Sequence, residues 1–250
     1  MQIRYVIPGP MSDTVGHGEV ARREALLRSW AAPDVDARVL DLPSGPASIE
    51  SIYEEQLAVP PLVDALPGLE AEGVDALIVG CFDDPGVDAL RELAQRTLVV
   101  GPGAAAMHVA SLLGGSFGIV TVPNPTATRK LVLTERLDTR FVDVGLVDIP
   151  VLGLRDDVEA TFEAMSDAGQ GLVARGAETI VLGCMSMAFL EVEHELGARL
   201  GVPVVNPAKV ALGVAEALVR AGQMPSRLTF PPPPKLAERL GSGAPLAGDL

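Results

Sequence analysis

The chain is poor in the residues from which metal and redox centres are built: its 250 residues hold two cysteines, Cys81 and Cys184, and three histidines. A structural zinc site needs several closely spaced ligands, so no metal and no metal-type cofactor is expected. Basic residues are scarce as well. With 19 Lys+Arg against 33 Asp+Glu and a net charge of −14, no cationic face is available for a polyanion, which excludes nucleic acid and anionic membrane as expected partners. The apolar runs are broken by Gly, Pro or charge well short of the roughly 20 residues that span a bilayer. No secretory leader precedes a strand at Met1–Val6, so a cytoplasmic protein with reduced thiols is expected.

The composition is that of a globular protein: 48% apolar and 21% charged residues can bury a sizeable core, in one large domain or two smaller ones. The most informative feature is a short stretch that occurs twice, Gly73-Val74-Asp75-Ala76-Leu77-Ile78-Val79-Gly80-Cys81 and Gly176-Ala177-Glu178-Thr179-Ile180-Val181-Leu182-Gly183-Cys184. Each copy is a Gly turn, an acidic residue, an apolar run of strand length and Gly-Cys. A lone free cysteine is usually a small buried hydrophobe. Two in matching contexts are not what chance burial produces.

The rest of the chain repeats in the same sense. The first half reads as a strand at Ile3–Ile7 ending in Pro8-Gly9-Pro10, a helix over 18–30, a strand over 37–42, and a helix opened by Ser48–Ser51 that Pro60-Pro61 breaks and that resumes to Glu72. The strand into Cys81 follows, then a turn at Asp83–Gly86, a helix to Ala94, a strand over 97–100 and a helix over 104–113. After Gly114-Gly115 a strand over 117–122 runs into Pro123-Asn124-Pro125, then a helix over 126–137, a strand over 141–147 and a long helix over 156–175. The strand into Cys184, a helix over 187–200, a strand over 202–205 and a helix over 208–221 complete the second set.

Matched segments in the same order indicate an internal duplication. Strands alternating with helices predict an α/β protein of two similar lobes, each a mainly parallel sheet flanked by helices, related by a pseudo-twofold axis with the site between them. The expected lobes are 1–103 with 207–230, whose last helix packs back, and 104–206; 231–250 is a Pro/Gly-rich tail expected to lie largely outside the core.

In open parallel sheets ligands bind beyond the carboxyl ends of the strands, where both cysteines stand. Each is expected to precede a helix start, whose N–H groups favour a thiolate. Two thiols facing one cleft from opposite sides suit stereochemical inversion, one removing a proton from a carbon acid and the other returning one to the opposite face, with no cofactor. Backbone N–H groups near Cys81, Cys184, Gly9 and Asn124 are the expected oxyanion donors, joined by the Thr121 and Ser186 hydroxyls. Pro8, Phe82, Asp83 and Met185 complete the expected substrate-binding set, although Asp83 reads more readily as a helix N-cap, Thr121 serves equally as a β-branched strand residue and Met185 as core. His108 reads as a packed or hydrogen-bonded helix residue, and His17 and His194 as exposed. The strand ends offer few cationic anchors; the nearest, Arg129 and Lys130, are better explained as helix surface.

The segments Gly45–Ser51, Gly80–Gly86, Gly103–Gly114 and Val181–Ala188 resemble the aspartate/glutamate racemase superfamily, most closely its hydantoin racemase branch, over nearly the whole chain to Ala221. The resemblance implies a cofactor-independent isomerase with Cys81 and Cys184 at the two catalytic positions. Glutamate racemases of the superfamily carry Asp-Ser after the first strand, Cys-Asn-Thr and Cys-Thr-His, where this chain has Pro8-Gly9-Pro10, Cys81-Phe82-Asp83 and Cys184-Met185-Ser186. A 5-substituted hydantoin is therefore the expected small-molecule substrate, rather than a free acidic amino acid. The competing readings are a cis-trans isomerase or lyase acting on a small diacid, and a non-catalytic small-molecule binder. A homo-oligomer is expected.

Overall fold

The computed structural model describes residues 1–235, and the tail expected over 231–250 lies mostly outside the described residues. Its first run of elements is β1 (Gln2–Ile7), α1 (Met11–Thr14), α2 (His17–Trp30), β2 (Asp36–Asp41), α3 (Ile52–Leu57), α4 (Val59–Ala71), β3 (Ala76–Val79), α5 (Val87–Leu93), β4 (Leu98–Val100) and α6 (Pro102–Leu113). The second is β5 (Phe117–Thr121), α7 (Pro125–Thr134), β6 (Phe141–Leu146), a 3₁₀ turn at Val151–Gly153, α8 (Val158–Ala174), β7 (Thr179–Leu182), α9 (Met185–Ala188), α10 (Glu193–Leu200), β8 (Val204–Val205) and α11 (Pro207–Arg220).

The strands form because their apolar residues alternate between two cores. On β1, Ile3, Tyr5 and Ile7 face a cluster with α2, α9 and α11, while Val6 faces one with α4 and α5; on β3, Ala76 and Ile78 divide from Leu77 and Val79 in the same way. In the second lobe Ile180 and Leu182 of β7 pack towards α8 and α10, whereas Val181 packs towards α6. Strands buried on both faces belong in parallel sheets. The sheets run in the orders β2-β1-β3-β4 and β6-β5-β7-β8, all pairings parallel, so the two lobes repeat one topology and the expected fold class holds. Helices α6 and α11 open alike, with Pro102 and Pro207 in their first turns, where a missing N–H costs nothing.

Four local expectations are corrected. The helix expected from Ser48 begins after Ser51, whose Oγ accepts the Glu54 N–H at 3.2 Å. The helix expected over 187–200 is two, α9 and α10, because Phe189 is drawn into the first lobe's core and Glu191 takes a positive φ of 60°. Helix α8 starts later than expected, its N-cap Asp157 accepting the Ala160 N–H, and the 3₁₀ turn before it was not foreseen. Finally, Cys184 is the N-cap of α9, but a turn separates Cys81 from α5, so only one cysteine directly precedes a helix.

Among the described residues no helix is long and apolar enough to cross a membrane.

Candidate active site

Each sheet reverses its strand order beside its first strand, which opens a crevice between the carboxyl ends of β1 and β3 in one lobe and of β5 and β7 in the other. Gly80 and Gly183 close these strand pairs by donating to Val6 O and Val120 O, each at 2.7 Å. Any side chain at either position would collide: a Cβ on Gly80 would stand 2.7 Å from Val6 O, and one on Gly183 2.6 Å from the Ile119 side chain. The next residue in each strand is the cysteine. Both cysteines line one cavity of about 280 Å³, together with the ends of β1 and β5, the Pro46–Ile49 segment and the loop around the 3₁₀ turn.

Both thiols are free, Cys184 buried and Cys81 half-buried. Their surroundings differ. Burial and then the Asp83 carboxyl push the Cys81 thiol well above its ordinary value, opposed by the Asp83 main-chain N–H. Burial also raises Cys184, but there the N–H groups of Met187 and Ser186 and the Arg23 guanidinium offset part of the rise. The Asp83 charge opposes ionisation of both thiols.

All ten residues singled out from the sequence line this cavity, in different capacities. Pro8 and Gly9 line it just past the end of β1, where a Cβ on Gly9 would stand 2.2 Å from Pro46 O. Met185 is also part of the first lobe's core, and the Phe82 ring is buried among Ala106, Met107 and Ile119. Asp83 is not an N-cap. Its Oδ1 accepts the Thr128 hydroxyl at 2.9 Å, and burial, partly offset by that bond, raises its carboxyl to about 7. It is Asp84 that caps a helix, accepting the N–H groups of Gly103 and Ala104 at the start of α6, each at 2.9 Å.

Three of the expected donors are already committed. The Gly9 N–H is bonded to Ile7 O at 2.9 Å and the Asn124 N–H to Val122 O at 2.6 Å, so neither turn offers its main chain to a ligand. The Thr121 hydroxyl donates its one hydrogen to Gly183 O at 2.6 Å and keeps only acceptor capacity. Two side-chain donors remain. The Asn124 amide nitrogen is buried with no hydrogen-bond partner among the described residues. Ser186 Oγ accepts from Arg23 Nη2 at 3.0 Å, which leaves its own hydrogen available.

Sequence reasoning missed a buried charge cluster. Glu19 and Arg23 on α2 are 8% and 4% exposed, and Glu19 accepts from Arg23 Nε and Arg22 Nη2, both at 2.8 Å, and from Arg155 of the opposite lobe. Glu19, Arg23 and Arg155 all line the cavity, so cationic groups are present after all, balanced in part by Glu19. The only trace of this in the sequence is a Glu three and four residues before two arginines, a spacing that marks any solvated helix face equally well. Arg129 pairs with Asp143 at 2.7 Å on the exterior, as expected of a helix surface, and His108 is exposed and bonded to Glu135 at 3.0 Å. Among the described residues no three His, Cys, Asp or Glu side chains converge as a metal site would require.

Comparison with known proteins identifies the family. The profile of the Asp/Glu/Hydantoin racemase family matches residues 20–215. The chain is 34% identical over 222 residues to a hydantoin racemase of Pseudomonas sp. (strain NS671), covering 88% of each, and 36% identical over 187 residues to one of Paenarthrobacter aurescens, covering 73% of this chain and 78% of the other. Among solved structures, an allantoin racemase from Klebsiella pneumoniae matches with a TM-score of 0.84 at 28% identity, over 94% of both chains. On these matches the chain belongs to the Asp/Glu/hydantoin racemase family, as a racemase of a small carbon acid and therefore an isomerase.

Proposed function

We propose that the substrate is a 5-substituted hydantoin and that Cys81 and Cys184 invert its ring carbon by two-base proton transfer. The observation that carries this reading is the opening of both free thiols, from equivalent strand ends, into one cavity that is also lined by Asn124, whose buried amide nitrogen has no partner among the described residues. The relatives named hydantoin racemase and allantoin racemase support the ring class, since allantoin is itself a hydantoin with a ureido substituent.

One thiolate takes the C5 proton, and the electron pair left on carbon delocalises into the adjacent ring carbonyl. The Asn124 amide and the Ser186 hydroxyl hold the oxygen on which that charge develops, an interaction that strengthens as the bond breaks. The opposite thiol then gives its proton to the other face of the carbon. Turnover leaves the first sulfur protonated and the second ionised, which is the arrangement needed for the reverse reaction. Asp83, which lines the cavity and whose carboxyl burial raises to about 7, would bond a ring N–H or carbonyl. Met11, Val15, Val151 and Leu152 form an apolar wall suited to an aliphatic or aromatic 5-substituent.

The test is incubation of enantiopure hydantoins in D2O, following optical rotation and deuterium at C5. Loss of rotation with one deuterium incorporated is expected of the unaltered protein, and Cys81→Ser and Cys184→Ser should each abolish racemisation, by about 10²-fold or more. Each single variant keeps one thiol and with it exchange at the one face that thiol reaches, so the refuting results are racemisation that survives either substitution, or exchange that survives in Cys81→Ser/Cys184→Ser.

A further inference from the structure

The proton transfer above leaves the buried charge cluster of the cavity unused. Arg23 is fixed on both sides: Nε is bonded to Glu19 one turn earlier on α2, Nη2 is bonded to Ser186 Oγ at 3.0 Å, and its guanidinium carbon lies 5.0 Å from the centre of the Phe189 ring. Ser186 belongs to α9, the one-turn helix that Cys184 caps, and Phe189 follows directly on it. Arg22 is joined to the same segment through Phe189 O at 2.8 Å. Three guanidinium groups, those of Arg22, Arg23 and Arg155, therefore share the single carboxylate of Glu19, and the cluster carries surplus positive charge beside Cys184. On the Cys81 side the strongest charge is instead the Asp83 carboxyl, two positions on.

The geometry points to Arg23 as a positioning residue that makes Cys184 the thiol that ionises first, and hence the resting base, while Cys81 beside Asp83 keeps its proton. The inference rests on the two-thiol racemase reading. A guanidinium held beside a sulfur stabilises its anion, and a carboxylate beside the other sulfur opposes a second negative charge. The other charged and titratable groups around the cavity that Cys184 lines come from several elements. From α2 these are Glu19, neutralised by its arginines, and Arg23; from the segment after β3, Cys81 and Asp83; from the loop before α8, Arg155 and Asp156. From β1 comes the phenol of Tyr5, which burial keeps protonated. The N–H groups of Ser186 and Met187 add to the bias towards Cys184, against one main-chain N–H at Cys81.

The experiment measures alkylation of each cysteine by iodoacetamide as a function of pH in the full-length, substrate-free protein, reading the two cysteine peptides separately by mass spectrometry. In the unaltered protein the Cys184 midpoint is expected below that of Cys81. Arg23→Gln should raise the Cys184 midpoint by about one pH unit or more and leave that of Cys81 in place, with Arg23→Lys restoring part of the difference. Because Arg23→Gln alone strips Glu19 of a buried partner, Glu19→Gln/Arg23→Gln is measured beside it, with circular dichroism confirming the fold; its Cys184 midpoint should rise likewise. In activity, the acidic limb of the pH profile of kcat/KM should move up with Arg23→Gln while the alkaline limb stays. Coincident midpoints in the unaltered protein, or a shift common to both cysteines, overturn the inference while racemisation continues to depend on both thiols. Exchange surviving in Cys81→Ser/Cys184→Ser overturns the two-thiol reading instead, and with it the role of base.

Discussion

Replacement of Glu19 by Gln removes the one anion around which Arg22, Arg23 and Arg155 gather. Burial alone would raise the Glu19 carboxyl, but the hydrogen bonds from Arg22 and Arg23 outweigh it and bring it from 4.5 down to about 2. A carboxyl whose value is lower in the folded state contributes stability above its unfolded value and loses it as the pH falls through its folded value. The difference amounts to about 3 kcal/mol, fully present above about pH 4.5 and gone by about pH 2. Breaking a buried pair from one side costs about 3–5 kcal/mol. The Arg22 and Arg155 side chains, 30% and 45% exposed, can turn to water, which puts the expected cost at the lower end; Arg23, at 5%, cannot. Urea denaturation of the unaltered protein and Glu19→Gln at neutral pH should therefore differ by about 3 kcal/mol, and the gap should close as both are taken below about pH 4. A neutral-pH difference under about 1 kcal/mol, the size of an exposed pair, or one that does not change with pH, refutes the reasoning.

Two further substitutions test the packing and the site. Asn124→Ala removes a buried amide that has no partner among the described residues, so it should leave stability nearly unchanged while lowering kcat by about 10²-fold; a kcat within about threefold of the unaltered enzyme removes Asn124 from the oxyanion role. Gly103→Ala would put a Cβ 1.9 Å from Phe82 O and 2.7 Å from the Leu131 side chain, forcing α6 away from the segment that carries Cys81. Thermal unfolding should show a cost of about 1–3 kcal/mol, or about 2–4 °C per kcal/mol, and an unchanged Tm would refute the close approach.

What the sequence disclosed is what local pattern determines. Strands bounded by Gly turns, the repeat of Gly-Cys at two strand ends and the Pro at two helix starts are all set within a few residues, and they suffice for the duplicated α/β topology and the positions of both thiols. What it concealed depends on partners distant in the chain. Arg23 meets Ser186 across 163 residues, and the Thr121 hydroxyl meets Gly183 O across 62, so neither the anchored guanidinium nor the spent hydroxyl is visible from its own neighbourhood. The split of α9 from α10 has the same origin. Nothing in Met187–Leu200 breaks a helix; the break comes from Phe189 settling against Tyr5 and Trp30, with ring centres 5.4 Å away in both cases.

The two lobes repeat a fold but not a chemistry, and the difference bears on how such a site works. Inversion through two thiols needs one of them ionised and the other protonated at the same moment. Two equivalent, independent thiols would satisfy that condition in at most about half of the molecules, and only near one pH, with the remainder doubly protonated or doubly ionised. Unequal surroundings widen the range of pH over which the singly ionised pair predominates. Arg23 and two main-chain N–H groups stand on the Cys184 side, and Asp83 with one N–H on the Cys81 side. Duplication supplies opposed thiols at equivalent strand ends. In the proposed mechanism it is the departure from that symmetry, a residue of α2 reaching across to α9 and a carboxyl two positions after Cys81, that would separate the thiols into an acid and a base.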